Sequence, residues 1–167
     1  MAVILITGGA RSGKSKRAEM RTRAFPGQPV YLATAEALDG EMEARIAKHR
    51  ARRGTDWIER EVPLGLVPAL LATDAGGARL VDCLTLWLSN LMHGGRDWEC
   101  EIGELAGALP RLKGPVVLVT NEVGLGIVPD NALARSFRDA AGIMNQVIAE
   151  VADEVEFVVA GLPMKLK

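Results

Sequence analysis

The chain has 167 residues, with 20 lysines and arginines against 21 aspartates and glutamates, so its formal net charge is −1. Hydrophobic residues make up 49% of it and aromatic residues only 4%. These values exclude a disordered or collagen-like chain, and they argue against a basic or aromatic surface for nucleic acid. The length predicts a single domain over residues 1–167.

The cysteines and the N-terminal segment predict a protein of the cytoplasm. Cys83 and Cys100 are too few for a disulfide scaffold, and they form no CxxC metal pair. The N-terminal apolar run reaches two glycines without a basic leader region, so it does not predict a signal peptide. No apolar stretch approaches the roughly 20 residues that a membrane span requires.

Short apolar runs alternate with helical patterns along the chain. Strands are predicted at residues 2–6, 30–33, 57–62, 79–81, 116–119 and 155–159, with a short further strand at 164–167. Helices are predicted at residues 14–24, 40–53, 64–72, 84–92 and 98–109, and a long one opens at 129–131. Uninterrupted runs of valine, isoleucine and leucine are typical of parallel strands covered on both faces. We therefore predict an α/β fold with a mostly parallel central sheet and helices on both faces.

The segment after the first predicted strand matches the phosphate-loop pattern G-x-x-x-x-G-K-[ST]. Its members are Gly8, Gly9, Ala10, Arg11, Ser12, Gly13, Lys14 and Ser15. Glycines let successive backbone N–H groups point at phosphate oxygens, and the helix N-terminus that follows adds positive potential. Lys14 is predicted to reach the β- and γ-phosphates of a nucleoside triphosphate, and the Ser15 hydroxyl to hold Mg²⁺. The strand–loop–helix context favours this interpretation over a chance lysine in a glycine-rich turn.

A phosphate loop of this kind requires a carboxylate for its metal ion. Asp82 ends one apolar run, and Glu122 follows another. We favour Asp82 as the metal or nucleotide ligand, the alternative for either acid being a helix cap or a surface loop residue. The loop from Gly124 to Gly126 is a weak match to a dinucleotide-binding loop, because Pro129 stands at the third glycine position.

The predicted helix at 40–53 ends in a dense cationic cluster that contains a histidine. The cluster consists of Lys48, His49, Arg50, Arg52 and Arg53. One interpretation is a solvated helix C-terminus, where cations are favoured. The other is a polyphosphate site in which a neutral nitrogen of His49 attacks an α-phosphate and pyrophosphate leaves. The neighbouring arginines are suited to stabilising the charge that develops, whereas His93 has no comparable cluster.

The chain resembles the bifunctional adenosylcobinamide kinase / adenosylcobinamide-phosphate guanylyltransferase family of cobalamin biosynthesis over essentially its whole length. The resemblance rests on GGARSGKS at 8–15, the block at 31–53, LVDCLTLWLSNL at 80–91 and the block at 119–146. It implies that GTP or ATP phosphorylates adenosylcobinamide. It further implies that GTP guanylylates a histidine and that GMP then passes to adenosylcobinamide phosphate. A RecA-like P-loop fold and a homotrimer are also implied.

The resemblance also assigns site residues. His49 occupies the guanylylated position, and Lys48 stands where some members carry a second histidine. Beyond the phosphate loop, the matching nucleotide-contacting positions are Thr34, Arg50, Ala51, Arg52, Arg53, Glu61 and Asp82. A simpler hypothesis, a P-loop kinase of another metabolite, leaves His49 and its arginines without a role. Another, a non-catalytic nucleotide-binding module, predicts binding without turnover, and the absence of GTPase switch motifs argues against it.

The long helix has the clearest amphipathic pattern. Its apolar positions recur every three or four residues, at Leu133, Phe137, Ala141, Met144, Ile148 and Val151. Arg135, Arg138 and Asn145 fall on the opposite face. We interpret them either as a solvated polar face or as contacts with the corrinoid or a neighbouring subunit.

Overall fold

The computed structural model describes residues 2–36, 40, 47, 50, 51 and 53–167. The predicted helix at 40–53 therefore lies mostly outside the described residues, although its described positions 40, 47, 50, 51 and 53 are helical. His49, Lys48 and Arg52 also lie outside the described residues.

The described residues form strands and helices in the predicted alternation. The strands are β1 (Val3–Gly8), β2 (Val30–Ala33), β3 (Ile58–Glu61), β4 (Arg79–Asp82), β5 (Val116–Val119), β6 (Glu154–Val159) and β7 (Leu162–Lys165). The helices are α1 (Lys14–Arg23), α2 (Leu66–Ala72), α3 (Leu84–His93), α4 (Trp98–Ala108) and α5 (Ala132–Val151), with a 3₁₀ turn at Leu109–Arg111. Among the described residues, no helix is both long and apolar enough to cross a membrane.

The strands form one sheet in the order β3-β2-β4-β5-β1-β6-β7. Every neighbouring pair is parallel except β6 and β7. This arrangement confirms the predicted mostly parallel sheet and puts the carboxyl ends of β1, β2, β4 and β5 along one edge. Because ligands of open α/β sheets bind outside the carboxyl ends of the strands, this edge is where a site is expected.

The last strand begins two residues earlier than predicted. Ala160 and Gly161 both have positive φ, of 51° and 81°, and they connect β6 directly to β7 as an antiparallel hairpin. Two consecutive residues with positive φ suit the tight turns whose twist matches that of the flanking strands. Pro163 lies in β7 at the sheet edge, where a missing backbone donor is tolerated.

The side chains of β1 alternate between two hydrophobic cores. Val3 and Leu5 face a large core that is covered by α2, α3, α4 and α5. Ile4 and Ile6 face a smaller core that contains Ala18 of α1. Both faces are therefore covered, as predicted, and this explains why the buried strands read as continuous apolar runs rather than alternating ones.

The helix α5 follows its predicted pattern except at its first turns. Asn131 caps it by accepting a hydrogen bond from the Ala134 backbone N–H at 2.8 Å. Met144 and Ile148 are fully buried, but Leu133, an apolar position of the same helical pattern, is 65% exposed. A helix of 20 residues is about 30 Å long, and a strand of six residues spans only about 20 Å. The first turns of α5 consequently lie away from the core, and its first buried residue is Ala140.

Candidate nucleotide-binding site

A cavity of about 130 Å³ lies at the carboxyl edge of the sheet. Strand register aligns the ends of β1, β5 and β4 there, since Ile6 pairs with Val119 and Val119 pairs with Asp82. The predicted site residues that line the cavity are Lys14, Ser15, Arg50, Arg53, Glu61 and Asp82. Residues separated by up to 68 positions in the sequence thus share one cavity.

The predicted phosphate loop connects β1 to α1, and close packing requires glycine at two of its positions. A Cβ atom on Gly8 would lie 2.5 Å from the backbone oxygen of Val158. A Cβ atom on Gly13 would lie 3.1 Å from the Cα atom of Gly161, and Gly13 also has a φ of 95°. The loop is further held by the Gly161 backbone N–H, which donates to the Ser12 carbonyl oxygen at 2.8 Å. The β6–β7 hairpin therefore supports the shape of the loop.

Lys14 begins α1 and is only 7% exposed. Its ammonium Nζ donates to the carbonyl oxygen of Gly9 at 3.0 Å, so the side chain folds back across the loop. Cations are rarely this buried unless they are paired or bind a ligand. Ser15, one residue later, brings its hydroxyl to the same cavity.

Asp82 ends β4 and is held by a tyrosine. The Tyr31 hydroxyl donates to Oδ2 of Asp82 at 3.1 Å. Burial, and then the charge of Asp82, raises the pKa of Tyr31, so its hydroxyl stays protonated as a donor. The predicted carboxylate is therefore both at the cavity and fixed in orientation.

Arg53 is the most deeply buried cation of the site, at 4% exposed. Its Cζ atom lies 3.5 Å from the centroid of the Tyr31 ring, which is a cation–π contact. Its Nη2 donates to Oε1 of Glu59 at 2.6 Å, and Nε of Arg50 donates to the other oxygen of that carboxylate at 2.6 Å. Burial opposes ionisation of Glu59, but the hydrogen bonds from both arginines hold its pKa below the ordinary value.

The Arg53 guanidinium also has donors that no described residue accepts. Its Nε and Nη1 are buried and have no hydrogen-bond partner among the described residues. Unpaired buried donors on a cation are costly, and an anionic ligand is the natural group to satisfy them. The cavity thus combines a cationic wall with a carboxylate.

The other predicted nucleotide contacts take different positions. Thr34 is fully buried and links the ends of β2 and β4. Its hydroxyl donates to the Cys83 carbonyl at 2.7 Å and accepts from the Cys83 N–H at 2.8 Å. Ala51 and Arg11 are exposed. Cys83 is buried, and burial followed by the charge of Asp82 raises the pKa of its thiol to about 11. The peptide bond between Asp82 and Cys83 is cis.

The alternative acid, Glu122, shapes its own loop instead. Its carboxylate accepts a hydrogen bond from the Gly124 N–H at 2.7 Å, and its backbone N–H donates to the Gly8 carbonyl at 3.1 Å. Asp82 lines the cavity and Glu122 does not line it. The geometry therefore favours Asp82 as the acid of the site.

The cavity-lining residues that sequence reasoning missed include Tyr31, Glu59 and Asn121. The period of two along a strand puts Glu59 on the same face as the predicted Glu61, and this signal was available. Tyr31 and Asn121 carried no comparable local signal, since their positions depend on which strands are neighbours.

The residues present fit a magnesium ion. Among the described residues, no group of three or more histidine, cysteine, aspartate or glutamate side chains forms a metal cluster. Mg²⁺ does not need one, because it favours oxygen ligands, keeps several waters and commonly takes only one or two protein ligands beside substrate phosphates. The Ser15 hydroxyl and the Asp82 carboxylate are oxygen donors on one cavity.

Sequence comparisons match a family model and known relatives over nearly the whole chain. The family described as cobinamide kinase / cobinamide phosphate guanyltransferase matches residues 4–166. The bifunctional adenosylcobalamin biosynthesis protein CobP of Pseudomonas aeruginosa is 51% identical over 167 residues, covering 98% of this chain and 96% of the relative. The bifunctional adenosylcobalamin biosynthesis protein CobU of Salmonella typhimurium is 45% identical, and 99% of each chain is covered.

Solved structures share the fold at low sequence identity. A prototypical ATPase from the type III secretion system of pathogenic bacteria matches with a TM-score of 0.56 and 14% identity, covering 98% of this chain and 56% of that chain. The P4 protein of bacteriophage phi6, in complex with ADP, matches with a TM-score of 0.54 and 13% identity, covering 97% and 52%. This chain thus spans about half the length of those two proteins, and the likeness confirms the predicted P-loop type of α/β fold.

Proposed function

Because this chain belongs to the cobinamide kinase / cobinamide phosphate guanyltransferase family, we propose that it catalyses two successive reactions of cobalamin biosynthesis. In the first, GTP or ATP phosphorylates adenosylcobinamide. In the second, GMP from GTP is transferred to adenosylcobinamide phosphate, giving adenosylcobinamide-GDP and pyrophosphate. The observation that carries the proposal is one cavity lined by Lys14, Ser15, Asp82 and a buried arginine, Arg53, two of whose donors no described residue accepts.

The phosphate loop, residues 8–15, binds the triphosphate in this proposal. Backbone N–H groups of the loop and the N-terminus of α1 face the phosphates. Lys14 exchanges the Gly9 carbonyl for phosphate oxygens, which are stronger partners because they are charged. The Ser15 hydroxyl and the Asp82 carboxylate would hold Mg²⁺, which would supply positive charge to the phosphate groups.

The kinase step transfers the γ-phosphoryl group. The hydroxyl oxygen of the acceptor forms a bond to the γ-phosphorus, and the bond from that phosphorus to the bridging oxygen breaks. The electron pair leaves on the nucleoside diphosphate, and the hydroxyl proton passes to water. Lys14 supports this step by stabilising negative charge on the transferring group and the leaving group.

The second reaction uses His49 as a nucleophile. A neutral imidazole nitrogen bonds to the α-phosphorus of GTP, and the bond to the α–β bridging oxygen breaks as pyrophosphate leaves. A phosphate oxygen of adenosylcobinamide phosphate then displaces the histidine and takes the GMP. His49 lies outside the described residues, but its neighbours in sequence, Arg50 and Arg53, line the cavity, which supports a place for this segment beside the nucleotide.

The proposed partners are GTP or ATP and the two corrinoid substrates, with no nucleic acid. The assembly proposed from the family resemblance is a homotrimer in the cytoplasm.

The deciding experiment is covalent labelling. The protein is incubated with Mg²⁺ and GTP labelled at the α-phosphate, then denatured, and label on the chain is measured. We expect acid-labile, base-stable label that is absent in His49→Ala and absent with γ-labelled GTP, because only the GMP portion is retained. Label that persists in His49→Ala would contradict the assigned nucleophile. Absence of α-label despite demonstrated GTP binding would contradict the guanylyl transfer and leave the kinase reaction as the only proposed activity.

A further inference from the structure

Asn121 lies between the phosphate loop and Asp82. It follows β5, the strand that separates β1 from β4 in the sheet. The residue after it is tied to the start of the loop, since the Glu122 N–H donates to the Gly8 carbonyl at 3.1 Å. The Asn121 side chain lines the same cavity as Lys14 and Ser15. Sheet topology therefore brings Asn121 to the cavity of the proposed phosphate site.

A closed ring of hydrogen bonds fixes the backbone of Asn121. Its N–H donates to Oγ1 of Thr85 at 2.7 Å, and its carbonyl oxygen accepts from Nδ2 of Asn145 at 3.2 Å. Oγ1 of Thr120 donates to Oδ1 of Asn145 at 2.7 Å. The contact between the Thr85 and Thr120 hydroxyls, at 3.3 Å, closes the ring.

The donors of this ring all run in one direction. Because Thr120 gives its proton to Asn145, the proton between the two threonines must come from Thr85, whose oxygen accepts from Asn121. Thr85 and Thr120 are 6% and 0% exposed. A closed ring whose two hydroxyls are buried restricts the positions of its members, and each bond polarises the next. Asn145, which the helical pattern had put on the polar face of α5, belongs to this ring.

The side chain of Asn121 is held by weaker hydrogen bonding than its backbone. Among the described residues, the only hydrogen bond of its carboxamide is from Nδ2 to Sγ of Cys83, at 3.9 Å. Sulfur is a weak acceptor, so this contact is readily exchanged for a charged oxygen. A rigid backbone that presents an available amide donor is the arrangement that stabilises developing charge without reorganisation.

We propose that Asn121 is a catalytic residue of the phosphoryl transfer, donating from Nδ2 to an oxygen of the terminal phosphate, and that Thr85, Thr120 and Asn145 are its positioning residues. This rests on the proposed function, which puts the triphosphate on the phosphate loop. Bond changes are those of the kinase step above, and Asn121 neither gains nor loses a proton.

The test compares Asn121→Ala and Asn121→Asp with the matched changes Gln146→Ala and Gln146→Glu. Gln146 is an exposed amide on α5 next to Asn145. We expect kcat of the kinase reaction to fall about 100-fold in Asn121→Ala and further in Asn121→Asp, because loss of one such donor costs this much and a carboxylate repels phosphate. The Kd of the nucleotide is expected to change by less than about threefold in Asn121→Ala, and α-label incorporation likewise.

A kcat within about twofold of wild type in both Asn121 variants overturns the proposal. Equal losses of kinase turnover and α-labelling overturn the contact with the terminal phosphate. Lys14→Ala is measured in parallel to separate the two levels of inference. If it binds and turns over nucleotide normally, the proposed function fails, and the role of Asn121 fails with it; if it is impaired while the Asn121 variants are not, only the role of Asn121 fails.

The positioning role is tested at Thr120. Thr120→Val keeps the shape but breaks the ring, whereas Thr120→Ser keeps the hydroxyl. We expect kcat to fall at least about tenfold in Thr120→Val, with Kd little changed, and to be largely retained in Thr120→Ser. Thermal unfolding of both variants reports stability separately. Equal kcat in Thr120→Val and wild type, or equal losses in the valine and serine variants, would overturn the positioning role.

Discussion

Two cations are buried at the cavity, although lysine and arginine side chains are mostly exposed in proteins. Lys14 is 7% exposed and Arg53 is 4% exposed. Arg53 is held by the Tyr31 ring and by Glu59, so its planar guanidinium has one orientation. Arginine suits this position because lysine has no planar fork to stack and bond at once. The electrostatics of the site thus come from cations fixed before any nucleotide arrives.

We predict that Lys14→Ala weakens the binding of the nucleotide. One charge-assisted phosphate contact is worth about 1.5–3 kcal/mol, so the Kd for GTP is expected to rise about 10- to 100-fold. Isothermal titration calorimetry measures the Kd directly. Lys16→Ala is the control, because Lys16 is exposed on the same helix. Similar affinities in the two variants would contradict the assignment of the loop.

The helix α1, which carries Lys14 and Ser15, is held against the sheet by the carboxylate of Glu156. Nε and Nη2 of Arg17 donate to both oxygens of Glu156 at 2.7 and 2.8 Å, and Nη1 of Arg21 lies 2.5 Å from Oε1. The Glu156 side chain on β6 is only 4% exposed. Arg21 also pairs with Glu154 at 3.0 Å. These bonds fix α1 against the sheet and therefore fix the position of the loop at its N-terminus.

We predict that Glu156→Gln lowers the free energy of unfolding by about 3 kcal/mol at neutral pH. The substitution removes the buried carboxylate and leaves Arg17 without an anionic partner among the described residues, whereas Arg21 keeps Glu154. Losses of this size are typical when one partner of a buried ion pair is removed. Urea unfolding measures the change. Glu150→Gln, an exposed change on α5, is the control and is expected to have little effect. A Glu156→Gln variant as stable as the control would contradict the anchoring role.

The pKa values of Glu154 and Glu156 predict that the folded protein loses stability in acid. Hydrogen bonds from Arg17 hold the pKa of Glu156 below its ordinary 4.5, and hydrogen bonds from Arg21 do the same for Glu154. The unfolded chain then binds protons before the folded one. The stabilisation is fully present above pH 4.5 and is lost as the pH falls through the lowered pKa values of the folded state.

We therefore expect the free energy of unfolding to fall as the pH decreases below about 4.5, with a shallower fall in Glu156→Gln. Urea unfolding across about pH 7 to pH 3 measures the slope. Glu150→Gln should keep the wild-type slope, since its side chain is exposed. An identical slope in wild type and Glu156→Gln would show that this carboxylate does not govern the acid response.

The sequence by itself determined the features that depend on neighbouring residues. Strand, loop and helix follow directly in the chain around Lys14, so the phosphate loop was recognisable from local pattern and context. Continuous apolar runs predicted the parallel sheet because burial on both faces leaves that pattern in each strand. The position of Asp82 at a strand end followed in the same way. Whether His49 acts as the nucleophile stays a prediction.

Only the tertiary structure decided which distant residues meet. The stacking of Arg53 on Tyr31 and the ring around Asn121 depend on β2 lying beside both β3 and β4, and on β5 lying between β4 and β1. The overhang of α5 that exposes Leu133, and the burial of Arg79 against Asp74 at 2.6 Å, have the same origin. Strand order is set by long-range packing and hydrogen bonding, which leave little periodic signal in any one segment. The phosphate loop is therefore recognisable from local sequence, whereas the geometry around it arises from contacts between segments far apart in sequence.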